Sequence, residues 1–202
     1  MLHHEDDRAE IHRVVVGPLS TNVHVLRCKA TGEAVLLDAA DDAPQLVRMC
    51  RRLGVGRVLQ THGHHDHVAA VPGVRAAGLP VGIAPADAFM LRSGDADFAL
   101  VDGEVLDVGG LRLRTVFTPG HTPGSTSFVL EGHLVLFAGD TLFPGGPGAT
   151  RPPYGDFPAI IRSISERLLP LDADTVVMPG HGADTTIGTE RPHLDEWVAR
   201  GW

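Results

Sequence analysis

Apolar residues recur along this chain with two different periods, and the switches between them lay out its elements. Ile11 to Gly17, Val23 to Lys29 and Ala34 to Asp38 read as β-strands. Leu46, Val47, Met49, Cys50 and Leu53 then fall at helical spacing, which predicts an amphipathic helix from Ala43 to Leu53 whose apolar stripe faces a core. A strand at Arg57 to Gln60, a short helix from Val68 to Ala77 interrupted near Pro72-Gly73, a strand at Val81 to Ile83 and a helix from Ala86 to Leu91 follow. The middle is mostly β: Glu104 to Val108, Leu111 to Phe117, Thr126 to Leu130 and His133 to Ala138 are separated by turn residues such as Gly109-Gly110 and Glu131-Gly132, a meander signature. Ile160, Ile161, Ile164 and Leu168 predict a helix over Asp156 to Leu168, Thr175 to Met178 a strand, and Thr189 to Arg200 a final helix. Two β-rich halves, each with helices that must cover one face, are best satisfied by two sheets packed face to face with helices outside, a four-layer αββα sandwich of the α/β class. At 202 residues, 43% of them hydrophobic, the chain is expected to form one domain spanning 1–202, and it shows no repeat of solenoid period.

Chemistry gathers where these strands end. Thr61-His62-Gly63-His64-His65-Asp66-His67 follows the strand at Arg57 to Gln60 and has the form His-x-His-x-Asp-His. Imidazole suits zinc, iron and their neighbours, and its unperturbed pKa of roughly 6.5 leaves it free to bind near neutral pH; a carboxylate adds a harder ligand. In an extended or tightly turned segment His62 and His64 point to one side, while Asp66 and His67 serve a second centre beside it. Three later apolar runs end in the same way: Thr118-Pro119-Gly120-His121 after Val116-Phe117, Gly139-Asp140 after Val135 to Ala138, and Pro179-Gly180-His181 after Val176 to Met178. A lone His or Asp after Gly is ordinarily a turn residue, and a His-rich tract is ordinarily exposed, with incidental metal affinity. Four separate strand ends carrying candidate ligands, with no Lys or Arg among them, point instead to a metal site, provided those ends share one edge. On spacing alone His65 can replace His64. His24, His133 and His193 have no partner motif and read as core or surface histidines, and His3 and His4 as a mobile end.

In these residues, and over nearly its whole length, the chain resembles the metallo-β-lactamase superfamily. The resemblance implies the αββα sandwich and favours His64 over His65. It places His62, His64 and His121 on a first metal and Asp66, His67 and His181 on a second, with Asp140 bridging them. The implied cofactors are two divalent ions, zinc in the first place, with iron or manganese accepted by the same donors. In the lactamase branch the position of Asp140 is a cysteine. The aspartate, together with Gly139 to Phe143, Pro179 to Gly182 and Thr185 to Arg191, makes the chain similar to the glyoxalase II (hydroxyacylglutathione hydrolase) side. The implied activity is hydrolysis of a thioester by a metal-bridging hydroxide, formed because two metals lower the pKa of a shared water from about 16 to about 7, with Asp66 and Asp140 as the catalytic residues that orient it. A persulfide dioxygenase with one iron on His62, His121 and Asp140, and a lactone hydrolase, use similar ligand sets. A metal-binding module without activity is the non-enzyme alternative, although a purely structural zinc needs only four ligands. Full-length glyoxalase II carries a further C-terminal helical region with basic residues that grip glutathione, whereas this chain ends at Trp202, so the thiol carrier is left open. Arg151, Tyr154 and Arg191 are candidate anchors for a substrate carboxylate.

Charge narrows the partners. The formal net charge is -8 and Lys29 is the only lysine, which argues against a nucleic-acid surface; Arg48, Arg51, Arg52 and Arg57 read as the solvated face of a helix. No stretch approaches the roughly 18 apolar residues needed to span a bilayer, and Met1 to Arg8 lacks a basic region followed by an apolar one, so no membrane association and a cytoplasmic location are expected. Cys28 and Cys50 cannot build a disulfide framework and read as small buried hydrophobes. The expected partner is a small-molecule thioester or ester; oligomeric state is not written in the sequence.

Overall fold

The computed structural model describes residues 1–91, 94 and 96–201. Two sheets face each other. The first is seven-stranded and runs in chain order: β1 (Leu2–Glu5), β2 (Ala9–Val16), β3 (Thr21–Cys28), β4 (Ala34–Leu37), β5 (Val55–Leu59), β6 (Val81–Ile83) and β7 (Phe98–Ala99). The second is six-stranded and draws on β8 (Val105–Val108), β9 (Leu111–Phe117), β10 (Thr126–Leu130), β11 (Val135–Gly139), β14 (Val176–Pro179) and β15 (Thr185–Thr186), in the order β15-β14-β11-β10-β9-β8. A two-stranded ribbon, β12 (Leu142–Phe143) and β13 (Gly146–Pro147), lies between β11 and the later helices in sequence.

Alternation along each strand builds three apolar layers. In β4, Ala34 and Leu36 point to a cluster under helix α1 (Ala43–Leu53) and α3 (Val71–Ala76), while Val35 and Leu37 point to the layer between the sheets. In β11, Val135 and Phe137 enter that middle layer, and Leu136 and Ala138 pack under α4 (Phe157–Ser163), the π-helical turn Ile164–Leu168 and α6 (Leu194–Arg200). Strands buried on both faces must be apolar at successive positions, which is why these segments are continuous apolar runs. A one-residue slip would exchange the two layers, so packing fixes the register. The result is the expected αββα sandwich.

Helix α1 forms where its sequence predicts. Asp42 caps it by accepting from the Gln45 amide at 3.1 Å, Gly54 ends it at φ 77°, and Arg48, Arg51 and Arg52 face solvent. Other helices are more broken than periodicity suggested. The stretch Val68 to Ala77 divides into α2 (His65–Val68) and α3, and the break falls at Ala69-Ala70, where the Ala70 amide bonds to the Ala39 carbonyl at 2.9 Å; Pro72 and Gly73 lie inside α3. Proline is tolerated there because a first-turn N–H has no helical partner. Gly73 is required by packing, since a Cβ on it would lie 2.4 Å from that of Ala43. The predicted helix at Ala86 to Leu91 is a 3-10 turn, Pro85–Met90, and the last helix divides into α5 (Ile187–Glu190), a 3-10 turn at Arg191–His193 and α6. His3 and His4, expected in a mobile end, belong to β1, which pairs antiparallel with β2.

Direction decides where chemistry can gather. β4 and β5 are parallel, β11 and β14 are parallel, and β9 runs with β11 because each is antiparallel to β10. The segments after β5, β9, β11 and β14 therefore leave one edge of the sandwich together, as expected for ligands supplied by strand ends. No helix among the described residues is long and apolar enough to cross a membrane.

One polar residue lies deep between the sheets. His24 of β3 is 4% exposed, its ring centroid is 5.5 Å from that of Phe137, and its Nε2 has no hydrogen-bond partner. Burial first, then the nearby His3 and Arg13, holds this imidazole down at about 3. The unfolded chain therefore takes up the proton first: the contribution of His24 to stability is constant above about pH 6.5 and is lost as pH falls from there towards about 3, at up to about 1.4 kcal/mol per pH unit. The variant His24→Leu should lose this part of the acid sensitivity. Urea unfolding of metal-free wild type and variant at several pH values between 7.5 and 4 checks it, and parallel stability curves would refute it.

Candidate metal centre

The segment after β5 changes conformation in mid-motif. His64 is still extended, at φ -62° and ψ 147°, and α2 begins at His65. His62 and His64, two residues apart on extended backbone, point to one side, whereas Asp66 and His67 are carried into the first helical turn beside them. His62, His64 and His121 form one group of donor atoms and Asp66, His67 and His181 a second; within each group all donor atoms lie within 4.8 Å of one another, and Asp140 groups with His62 and His67 between them. The structure thus brings together all of the ligand positions read from the sequence, from four separate segments. His64, not His65, faces His121: His64 Nδ1 is 2.8 Å from His121 Nε2, and His65 is exposed.

Hydrogen bonds behind the rings determine which nitrogens face inward. His67 Nδ1 donates to Asp38 Oδ2 at 2.7 Å, His121 Nδ1 to the Ala149 carbonyl at 2.7 Å and His181 Nδ1 to the Leu19 carbonyl at 3.0 Å. Thr61 Oγ1 gives its proton to Asp38 Oδ2 at 2.8 Å and so accepts from His62 Nδ1 at 3.1 Å. Each of these imidazoles therefore turns Nε2 into the site, the outer hydrogen bonding by which metal-ligating histidines are oriented. The Nε2 atoms of His67 and His181 converge to 3.2 Å, and Asp140 Oδ2 lies 3.5 Å from both His121 Nε2 and His181 Nε2. His62 Nε2 and Asp140 Oδ1 are buried without any hydrogen-bond partner. Such orphaned groups are costly, and a bound cation would supply what the protein does not. The donor set fits divalent metal, with three imidazoles on one side and two imidazoles with carboxylates on the other.

Without a cation the second group must hold protons. Hydrogen bonds to Asp140 and Asp66 raise His181 to about 10. Burial would lower His67, but Asp140 and Asp38 outweigh it and leave that ring at about 8. Asp66 falls to about 2 against the effect of burial, because His181 donates to it and His67 lies nearby. The first group carries no such negative charge. Burial, reinforced by the neighbouring imidazoles, pushes His62 well below its ordinary value.

Two further aspartates were not singled out in the sequence. Asp38, 2% exposed at the end of β4, accepts from the Thr61 amide at 2.7 Å as well as from Thr61 Oγ1 and His67, so one carboxylate aims two ligands. Its signal was present in Val35-Leu36-Leu37-Asp38, another apolar run ending in a donor. Asp87 is fully buried and accepts from the Gly63 amide at 2.9 Å, the Gly124 amide at 2.6 Å and Thr122 Oγ1 at 2.6 Å, joining the His62 and His121 segments. It lies inside the 3-10 turn Pro85–Met90 and not directly at the end of a strand. Gly180 leaves necessary space, since a Cβ there would lie 2.2 Å from Asp140 Oδ1 and 2.7 Å from His67 Cε1.

The other candidates divide. Arg191 donates to the Leu169 carbonyl at 2.9 Å and the Leu171 carbonyl at 2.6 Å, closing the end of the π-helical turn, so it is a structural tie and not a substrate anchor. Arg151 and Tyr154 are exposed, in the segment that supplies the Ala149 carbonyl to His121, and the Tyr154 ring stands 5.5 Å from Phe89. The side chain of His133 is buried against Asp6, and His193 pairs at the surface with Glu196 at 3.2 Å. Cys28 and Cys50 are both buried and free. A pouch of about 190 Å³ adjoins Asp66, walled by Pro18, Leu19, Ala40 and Ala69 and shared with His65 and Asp41.

Residues 16–181 match the metallo-beta-lactamase superfamily. The chain is 35% identical over 178 residues to the hydroxyacylglutathione hydrolase GloC of Haemophilus influenzae, covering 78% of this chain and 84% of that protein. It is 31% identical over 176 residues to the mitochondrial persulfide dioxygenase ETHE1 of Homo sapiens, covering 84% of this chain and 67% of that one. The crystal structure of the BLEG-1 B3 metallo-beta-lactamase superposes with a TM-score of 0.83 at 33% identity, covering 91% of this chain and 97% of the other. Fold, ligand order and relatives agree: the chain belongs to the metallo-beta-lactamase superfamily.

Proposed function

We propose that this protein is a dinuclear metal-dependent hydrolase that cleaves a thioester, on the glyoxalase II side of its superfamily. The observation that carries the proposal is the pair of donor groups meeting at Asp140, each oriented from behind by hydrogen bonds. The likeness to a hydroxyacylglutathione hydrolase supports the substrate class. His62, His64 and His121 would hold one divalent ion and Asp66, His67 and His181 the other, with Asp140 between; zinc suits these donors, as do iron and manganese. Bound there, the ions supply Lewis acidity and lower the pKa of a water to about 7.

The chain's own residues then position the reactants. Asp66 and Asp140, both held ionised, present carboxylate oxygens that accept hydrogen bonds from the attacking water and fix its direction. Asp38 keeps the His67 and His62 rings from turning. The pouch beside Asp66 suits a small apolar substituent on the reacting carbonyl, and the exposed Arg151 and Tyr154 would serve as anchors for a substrate carboxylate. A complete second donor group at Asp66, His67 and His181 favours two metals over the single iron of a persulfide dioxygenase.

Metal analysis of the purified protein, coupled to a thioester, lactone and persulfide panel, tests this. Close to two metals per chain and release of free thiol from S-lactoylglutathione or a related acyl thiol are expected. A single iron with oxygen consumption on glutathione persulfide, or acid release from lactones alone, would replace the reading. Asp66→Ala should lose at least a hundredfold in turnover while circular dichroism stays unchanged; near-normal rates would contradict its role. Metal loading should also release protons at pH 7, because His181 near 10 and His67 near 8 are protonated in the metal-free protein and must be bare to bind. Titration with zinc in lightly buffered indicator dye should show at least one proton freed per chain, and none freed would contradict the assignment of those two rings.

A further inference from the structure

We propose that Asn22 is a positioning residue for the second metal, acting through the loop that carries His181; the inference rests on the two-metal reading above. Asn22 is the second residue of β3, beside the β2–β3 turn, and is 3% exposed. Its side-chain amide donates to the Pro179 carbonyl and to the Gly182 carbonyl, both at 3.0 Å, and its backbone amide donates to the Gly180 carbonyl at 2.7 Å. One residue thus grips the chain on both sides of His181. Thr21 forms a β-bridge with His181, and the imidazole donates to the Leu19 carbonyl, so the turn fixes the ring as well as the backbone. Farther out, Asp184 is held by Arg13 at 2.9 Å and His3 at 2.6 Å, which ties the far end of the same loop to β1 and β2.

His181 is the one member of the second group supplied from the other sheet; Asp66 and His67 share the segment after β5. The first group receives nothing from Asn22. The two sites therefore depend on this residue unequally, which a merely structural role would not produce: a general loss of stability would weaken both sites alike. Asn22→Asp keeps the shape and replaces both donated bonds with a carboxylate facing two carbonyls. Loss of such an outer partner typically weakens metal binding about 10–100-fold.

Zinc affinity and stoichiometry, measured by chelator competition on the full chain well below its unfolding temperature, provide the test, with His181→Ala marking the one-site endpoint. Wild type should bind two equivalents. Asn22→Asp should bind one with wild-type affinity and the other at least tenfold more weakly. Two equivalents of unchanged affinity in that variant would overturn the proposal alone, whereas a single equivalent in wild type would overturn it together with the two-metal reading. If Asn22→Asp does not fold, Asn22→Ser decides, since its short side chain no longer spans the Pro179 and Gly182 carbonyls: selective weakening of one equivalent by about threefold or more upholds the proposal, and two unchanged sites overturn it.

Discussion

Hydrogen bonding on the outer side of the histidine rings is the constraint on which the rest of this structure depends. Once Nδ1 of His67, His121 and His181 is committed to a carboxylate or carbonyl, and that of His62 to Thr61, each ring has one free nitrogen and one direction in which to present it. Those directions converge on Asp140. Everything farther out, including the parallel strand pairs, the glycine at Gly180 and the buried Asp38 and Asp87, maintains that convergence against the cost of crowding polar groups that are largely withdrawn from water.

Much of this was legible in the sequence, for identifiable reasons. Strands buried on both faces, such as Val35-Leu36-Leu37, leave an apolar signal that depends only on layer packing, and α1 combines a regular stripe with its own capping residues. The candidate ligands were legible because their segments follow such strands. What escaped was set by distant contacts. The break at Ala69-Ala70 comes from a bond to Ala39, the assignment of His3 and His4 to β1 from pairing with β2, and the π-helical turn before Leu169 has no periodicity of its own. Asp87 is linked to both ligand segments only in three dimensions, so nothing local marks it.

Charge is divided unequally across the centre. Three imidazoles with no carboxylate of their own make up one side, and burial holds His62 well below its ordinary value. Asp66 and Asp140 make the other side strongly attractive to positive charge, whether as protons on His67 and His181 or as metal. Asp140 stands between the two, 3.5 Å from a ring of each.

The β2–β3 turn makes two different contacts through one short piece of backbone. Pro18 and Leu19 wall the pouch beside Asp66, and the carbonyl of the same Leu19 holds the His181 ring. The shape of the pouch and the aim of the His181 ring are therefore coupled through the same backbone. A lengthened or remodelled turn that widened the pouch would also shift the Leu19 carbonyl, and with it the ring of His181.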